Sequence, residues 1–259
     1  MIKDRAYWRT ELGDRASQDE TVPSEYRRIL RLIDSRTHAA VIRGCLRQFP
    51  DTLLADWLDE LEEIGYVASI RAEITQDLEL KTLLKRRRVL GDAPEAQDRE
   101  RIDGQAAAAS SALEQQGVFL SQDRLANRER LDKRPADLDV LIVEDDPDQA
   151  ALADLRVRMA GYRTRIAGSC RDMVELLEEH GLPNLVLLDV MLPDGSGFDI
   201  LSGFRHHETS ASLPVILLTS LVDPHDIRRG LSLGADGYIT KPYSKKILAE
   251  TISEVLKHA

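Results

Sequence analysis

Leu141-Ile142-Val143-Glu144-Asp145-Asp146 is an apolar run that stops abruptly in three acids. A second run, Leu185 to Leu188, stops the same way at Asp189, and a third, Val215 to Leu218, stops at Thr219. A fourth segment, Gly237-Tyr238-Ile239-Thr240, delivers Lys241 and then Pro242. Short apolar runs bounded by turn signals mark strands buried on both faces. In an open parallel α/β sheet, the carboxyl ends of such strands line the ligand crevice. Acids, a hydroxyl and a lysine are therefore expected at one edge of one sheet.

The surrounding sequence supports that sheet. From about residue 137 onward, strands near 138–143, 163–167, 185–188, 214–218 and 237–240 alternate with helical patterns near 147–160, 170–180, 196–207, 224–233 and 243–257. Gly161, Gly181 and Gly234 fall where helices should stop. Three carboxylates close together, Glu144, Asp145 and Asp189, repel and raise one another's pKa unless a cation neutralises them. A small oxygen-seeking divalent ion such as Mg2+ suits a few carboxylates plus waters. Lys241 adds a fixed positive charge. Such a site fits phosphoryl transfer onto a carboxylate, with the lysine and metal stabilising the equatorial oxygens and Thr219 donating a hydrogen bond. Asp146, followed by Pro147, reads instead as a helix cap.

Further matches extend the pattern: Leu192-Pro193-Asp194-Gly195 beyond Asp189, Thr219-Ser220 after the fourth strand, and Gly234-Ala235-Asp236-Gly237-Tyr238 ahead of Thr240-Lys241-Pro242. In order, spacing and residue type this part of the chain resembles the receiver domain of two-component response regulators. The resemblance implies a flavodoxin-like (βα)5 parallel sheet. It implies Asp189 as phosphoacceptor, Asp145 as a direct Mg2+ ligand, Glu144 acting through water, and the backbone carbonyl of Met191 as a further ligand. Thr219 and Lys241 would assist the transfer. Thr219 and Tyr238 would be the switch pair, the ring turning inward as the hydroxyl moves toward the phosphoryl group. The donor would be a histidine kinase or a phosphotransfer protein, and the only catalysis expected is the receiver's own phosphorylation and dephosphorylation. Met191 and Leu221 are apolar where a polar side chain would orient an attacking water, so slow loss of the phosphoryl group is expected.

At 259 residues the chain has room for two modest domains. By pattern it is expected to divide into a mainly helical, winged-helix-like module (1–70), a helical and charged linker region (71–136) and the receiver (137–259). Helical periodicity runs from Pro23 to Gly65 in three segments, the last carrying Leu53, Leu54, Trp57, Leu58, Leu61 and Ile64 on one stripe. Tyr66 to Ile70 then reads as a strand. Trp57 is expected in the core. Leu61-Glu62-Glu63-Ile64-Gly65-Tyr66-Val67 is weakly echoed by Leu113-Glu114-Gln115-Gln116-Gly117-Val118-Phe119, which would suit two helix-to-strand turns pairing in one small sheet.

Composition narrows the function classes. A formal net charge of −10 disfavours nonspecific nucleic-acid binding by the whole chain. Cys45 and Cys170 are expected as free buried thiols in a reducing cytoplasm. No apolar stretch approaches the ~20 residues of a membrane span, so a cytoplasmic protein without membrane contact is expected. The third helical segment, Pro50 to Ile64, carries Asp51, Asp56, Asp59, Glu60, Glu62 and Glu63 and no lysine or arginine. That charge opposes a phosphate backbone. The favoured output is therefore contact with a protein, either a partner or a second copy of the chain in a homodimer. The alternative is a DNA-binding transcriptional regulator using the winged helix, aided by Arg43, Arg47 and the run Lys85-Arg86-Arg87-Arg88. Receivers of the largest DNA-binding class dimerise through their fourth helix, fifth strand and fifth helix with an arginine in the last; Thr251 stands about there in this chain.

Overall fold

A computed structural model of the chain describes residues 5–33, 37–71, 117–128 and 133–257. In the N-terminal part, β1 (Arg5–Arg9) lies between β2 (Thr37–His38) and β3 (Val67–Arg71) in a three-stranded antiparallel sheet. Four helices pack on it: α1 (Glu11–Ala16), α2 (Ser24–Leu32), α3 (Ala39–Cys45) and α4 (Asp51–Ile64). The three expected helices and the strand after them are present; β1 and α1 were not anticipated. The α4 stripe of Leu53, Leu54, Trp57, Leu58 and Leu61 meets Tyr26, Ile29 and Leu30 of α2 in one core. Trp57 is 2% exposed, with the Phe49 ring edge-on at 4.9 Å. Gly65, in the left-handed region at φ 84°, ends α4 and turns the chain into β3.

The C-terminal part is built on a six-stranded sheet of β4 (Val118–Leu120), β5 (Asp139–Val143), β6 (Arg163–Ala167), β7 (Leu185–Leu188), β10 (Val215–Thr219) and β11 (Gly237–Thr240). The spatial order is β4-β11-β10-β7-β5-β6, and every pairing is parallel except that of β4. Without β4 this is the 2-1-3-4-5 order of a flavodoxin-like sheet. Alternation divides its side chains between two layers. Val140, Ile142, Leu185, Leu187, Ile216, Leu218 and Ile239 face one core with α6 (Pro147–Met159) and α10 (Lys245–Leu256). Leu141, Val143, Val186, Leu188, Val215, Leu217 and Tyr238 face the other with α7 (Cys170–His180), α8 (Gly197–His206) and α9 (Pro224–Ser232). A small hairpin, β8 (Met191–Leu192) and β9 (Gly195–Ser196), precedes α8. Gly161, Gly181 and Gly234 all take positive φ at helix ends, as expected.

Several expectations are corrected. The region read as linker is not all linker: β4, followed by α5 (Gln122–Ala126), adds antiparallel to the outer edge of β11, pairing Phe119 with Tyr238. Residues 72–116, with the basic run and most of the echo, lie outside the described residues. Gly65 and Gly117 both have positive φ, but the strand after Gly117 joins the receiver sheet and not the N-terminal one. Because β4 takes the free edge of β11, the edge of the fifth receiver strand is occupied by the chain itself. Cys45 is exposed and Cys170 partly so; both are free, but neither is buried. Among the described residues no helix is long and apolar enough to cross a membrane.

The two parts share a boundary. Leu152 and Leu155 of α6 join the N-terminal core, and α4 packs on α10. Gln149 Nε2 donates to Glu25 Oε1 at 2.9 Å, and Arg27 lies 3.5 Å from Asp148. The six acids of α4 are all engaged within the chain: Asp51 with Arg43, Asp59 and Glu62 with Arg5, Glu60 with Arg156, Glu63 with Lys245 and Asp56 with Ser244.

Within the N-terminal part, α1 starts from Thr10, whose hydroxyl accepts from the Gly13 N–H at 3.1 Å. A Cβ at Gly13 would sit 1.9 Å from the Tyr66 carbonyl oxygen, a backbone atom that cannot swing aside, whereas one at Gly44 in α3 would meet nothing within 4 Å. In urea unfolding, Gly13→Ala is expected to destabilise by about 1–3 kcal/mol through overpacking. Gly44→Ala should instead stabilise by about 0.5–1 kcal/mol through helix propensity.

Candidate functional site

Main-chain hydrogen bonds carry the ladder past the strand ends and fix the polar residues there. Glu144 N–H donates to the Ala167 carbonyl at 3.0 Å, Asp189 N–H to Val143 at 2.9 Å and Lys241 N–H to Thr219 at 2.8 Å. The start of α8 crowds the same place: a Cβ at Gly197 would lie 2.3 Å from the Asp189 carbonyl oxygen, so only glycine lets the helix begin there.

Carboxylate oxygens of Glu144, Asp145 and Asp189 lie within 4.8 Å of one another. Glu144 and Asp189 are buried and Asp145 is exposed, so the cluster opens to solvent on one side. Lys241 Nζ donates to Glu144 Oε2 at 2.5 Å and to Asp189 Oδ2 at 2.7 Å. The other Asp189 oxygen, Oδ1, accepts from the Met191 N–H at 3.1 Å, which fixes the carboxylate plane. Burial pushes Glu144 up to about 7, opposed by Lys241 and reinforced by the charges of Asp189 and Asp145. Lys241 is held above its ordinary value despite its burial, because Glu144 and Asp189 favour the ammonium. One ammonium faces three carboxylates, and the excess negative charge lies on the open side. Hard oxygen donors in that arrangement fit a divalent cation.

The remaining expected residues fall around this cluster. Thr219 is fully buried; its Oγ1 accepts from the Leu221 N–H at 3.2 Å. The Tyr238 ring is also fully buried, already turned inward, and its hydroxyl donates to the Leu221 carbonyl at 2.9 Å. Burial raises that phenol to about 12. Met191 is 64% exposed on β8. Asp146 caps α6, accepting from Asp148 and Gln149 N–H at 2.9 and 3.0 Å, so the third acid is a cap and not part of the cluster. Asp194 is likewise occupied, accepting from the N–H groups of Cys170 and Arg171 at the start of α7.

Two further charged clusters are formed only by folding. Asp236, fully buried, accepts from Arg124 at 2.9 Å, Arg128 at 2.6 Å, Arg205 at 3.0 Å and the Val215 N–H at 2.9 Å. Burial and the neighbouring Arg124 lower Arg205 to about 10, against the pull of Asp236. This cluster ties α5 to the receiver. The second is the buried pair Glu60–Arg156 between the two parts of the molecule. Its signal was present: Glu60 follows Trp57 by three residues and Arg156 follows Leu152 by four, so each is a charge on an apolar helical stripe.

Adding Mg2+ should raise the Tm by relieving repulsion among the three acids. Asp145→Asn is expected to remove most of that increment in a thermal-melt titration. Asp146→Ala should lower stability by about 0.5–2 kcal/mol through loss of the cap while keeping the Mg2+ increment.

Known proteins resemble the C-terminal part of this chain in sequence. The profile of the response regulator receiver domain matches residues 140–253. Transcriptional regulatory protein GltR of Pseudomonas aeruginosa is 37% identical over 120 residues, which cover 46% of this chain and 49% of GltR. Transcriptional regulatory protein AfsQ1 of Streptomyces coelicolor is 37% identical over 118 residues, covering 46% of this chain and 51% of AfsQ1. The chain thus spans about half the length of these curated relatives. The solved BeF3-activated receiver domain of DrrB is 31% identical, with 46% of this chain and 97% of that chain covered and a TM-score of 0.42. Residues 140–253 of this chain thus form a response regulator receiver domain.

Proposed function

We propose that the chain is a cytoplasmic phosphorelay response regulator whose Asp189 accepts a phosphoryl group from a histidine kinase or a phosphotransfer protein. The observation that carries this reading is Lys241 bridging Glu144 and Asp189 beside the exposed Asp145. An Asp189 oxygen forms the new bond to phosphorus as the bond to the donor nitrogen breaks, and the electron pair leaves with that nitrogen. Lys241 offsets charge on the oxygens while the Met191 N–H holds the carboxylate in place. Glu144, Asp145, Asp189 and the Met191 carbonyl would hold Mg2+, whose charge neutralises the transferring group. Beyond its own phosphorylation and dephosphorylation the receiver catalyses nothing in this reading.

Leu221 links the switch pair, since its N–H donates to Thr219 and its carbonyl accepts from Tyr238. A phosphoryl oxygen that draws the Thr219 hydroxyl away loosens both contacts and shifts the loop before α9. The output we favour is a change in protein contacts, because α4 packs on α10 of the receiver and three of its acids are held there, so that contact can respond to the receiver's state. A second reading, DNA binding by a winged-helix-like N-terminal module, is favoured by the names of GltR and AfsQ1 as transcriptional regulatory proteins. In that case Arg43 and Arg47 on and just after α3 would meet phosphate, rather than α4.

Phosphoramidate with Mg2+ should give acid-labile label on the full chain, and Asp189→Asn should abolish it; label persisting in the variant refutes the acceptor assignment. With Met191 and Leu221 both apolar, the label should decay slowly, and a polar residue at either position should hasten the decay. Mobility shifts with mixed genomic DNA across a salt series separate the outputs. Protein-contact output predicts weak binding and a size change with beryllofluoride, whereas tight, salt-sensitive binding favours the regulator reading.

A further inference from the structure

The chemistry at Asp189 makes no direct use of two charged groups buried where α4 meets the receiver. Glu60 is 2% and Arg156 1% exposed. Arg156 Nε donates to Glu60 Oε2 at 3.1 Å, and Arg156 Nη1 donates to the Tyr243 carbonyl at 2.6 Å. The guanidinium also lies 5.4 Å from the centre of the Tyr243 ring. Glu60 Oε1 accepts from the Lys245 N–H at 2.8 Å, and Tyr26 OH donates to Glu60 Oε2. Desolvation makes such a pair a poor source of stability compared with apolar residues of like volume. Its contacts are positional. Lys245 is the first residue of α10, where orphan N–H groups favour an acid. Glu60 supplies that acid from the N-terminal module, one turn from where Glu63 meets the Lys245 side chain.

The held residues lie close to the site. Lys241, which bridges Glu144 and Asp189, is followed by Pro242, Tyr243, Ser244 and Lys245. Arg156 holds the carbonyl of the third of these five residues and Glu60 the N–H of the last. We infer that Glu60 and Arg156 are positioning residues for Lys241, making the N-terminal module a working part of the phosphoacceptor site. A phosphoryl group on Asp189 draws Lys241 to new oxygens. The change passes along residues 241–245 to the Glu60–Arg156 pair and alters the docking of α4. Thermodynamic linkage makes the effect reciprocal: docking favours the charged site as much as the charged site alters docking. This rests on Asp189 being the acceptor.

Two measurements on the full chain test it. In the unsubstituted protein, amide hydrogen exchange over 51–64 should change when beryllofluoride is added to Mg2+, and it should not change in Asp189→Asn. In Glu60→Gln, which keeps the shape and removes the charge, phosphoryl uptake at saturating phosphoramidate should fall about five-fold or more, while the half-saturating donor concentration stays put. Asp59→Asn, on the same helix but facing Arg5, should leave uptake unchanged. The inference is overturned if beryllofluoride alters exchange at 189–191 but not at 51–64, or if folded Glu60→Gln takes up label at the ordinary rate. If Glu60→Gln fails to fold, the exchange experiment on the unsubstituted chain decides alone. Absence of label in the unsubstituted chain overturns the acceptor reading itself, and this inference with it.

Discussion

A strand buried on both faces has nowhere along its length to place a polar side chain, and the C-terminal sheet follows from that constraint. Its interior strands are apolar and fully covered, so polar groups are pushed to their ends. Because the five receiver strands run parallel, all of those ends point the same way. Strand order then sorts the chemistry. The acids after β5 and β7 are neighbours, and Thr219 at the end of β10 comes next. Lys241 follows β11, two strands from β7 and so about 10 Å across the sheet. A long, flexible side chain with a terminal charge can span that gap, and its ammonium lies against both Glu144 and Asp189.

The same constraint explains how much could be read in advance. Uniformly apolar strands ending in acids, with helices stopped by Gly161, Gly181 and Gly234, put the receiver strands and helices within a residue or two of where they stand. All of the named cluster residues converge, and Asp146 caps as expected. The N-terminal part was legible only where helical periodicity ran long. In Arg5-Ala6-Tyr7-Trp8-Arg9 only Tyr7 is buried, and its pairing partners begin about thirty and sixty residues later, so no local pattern marks β1 as a strand. The three residues of β4 are too short to declare themselves, and their partner strand lies more than a hundred residues away.

The acids of α4 illustrate a different limit. Counted as charges they describe a surface that repels phosphate; placed in three dimensions they are tied to Arg5, Arg43, Arg156, Lys245 and Ser244. Sequence counts the charge, but the counter-charges come from other elements and are brought together only by folding. Glu60 and Asp236 are the extreme cases, carboxylates removed from water whose partners lie far along the chain.

The antiparallel strand at residues 118–120 also sets where the molecule can be divided. A fragment cut at residue 137 would leave β11 as a bare edge, with unpaired N–H and C=O groups able to template pairing with another copy. It would strip Arg124 and Arg128 from a carboxylate that has no exposure to water. The opposite edge, β6, carries Arg163 and Arg165 and guards itself with charge. A receiver excised by family resemblance alone would thus be prone to self-association of its own making. A receiver that keeps the edge of β11 paired and Asp236 within reach of Arg124 and Arg128 begins at residue 117.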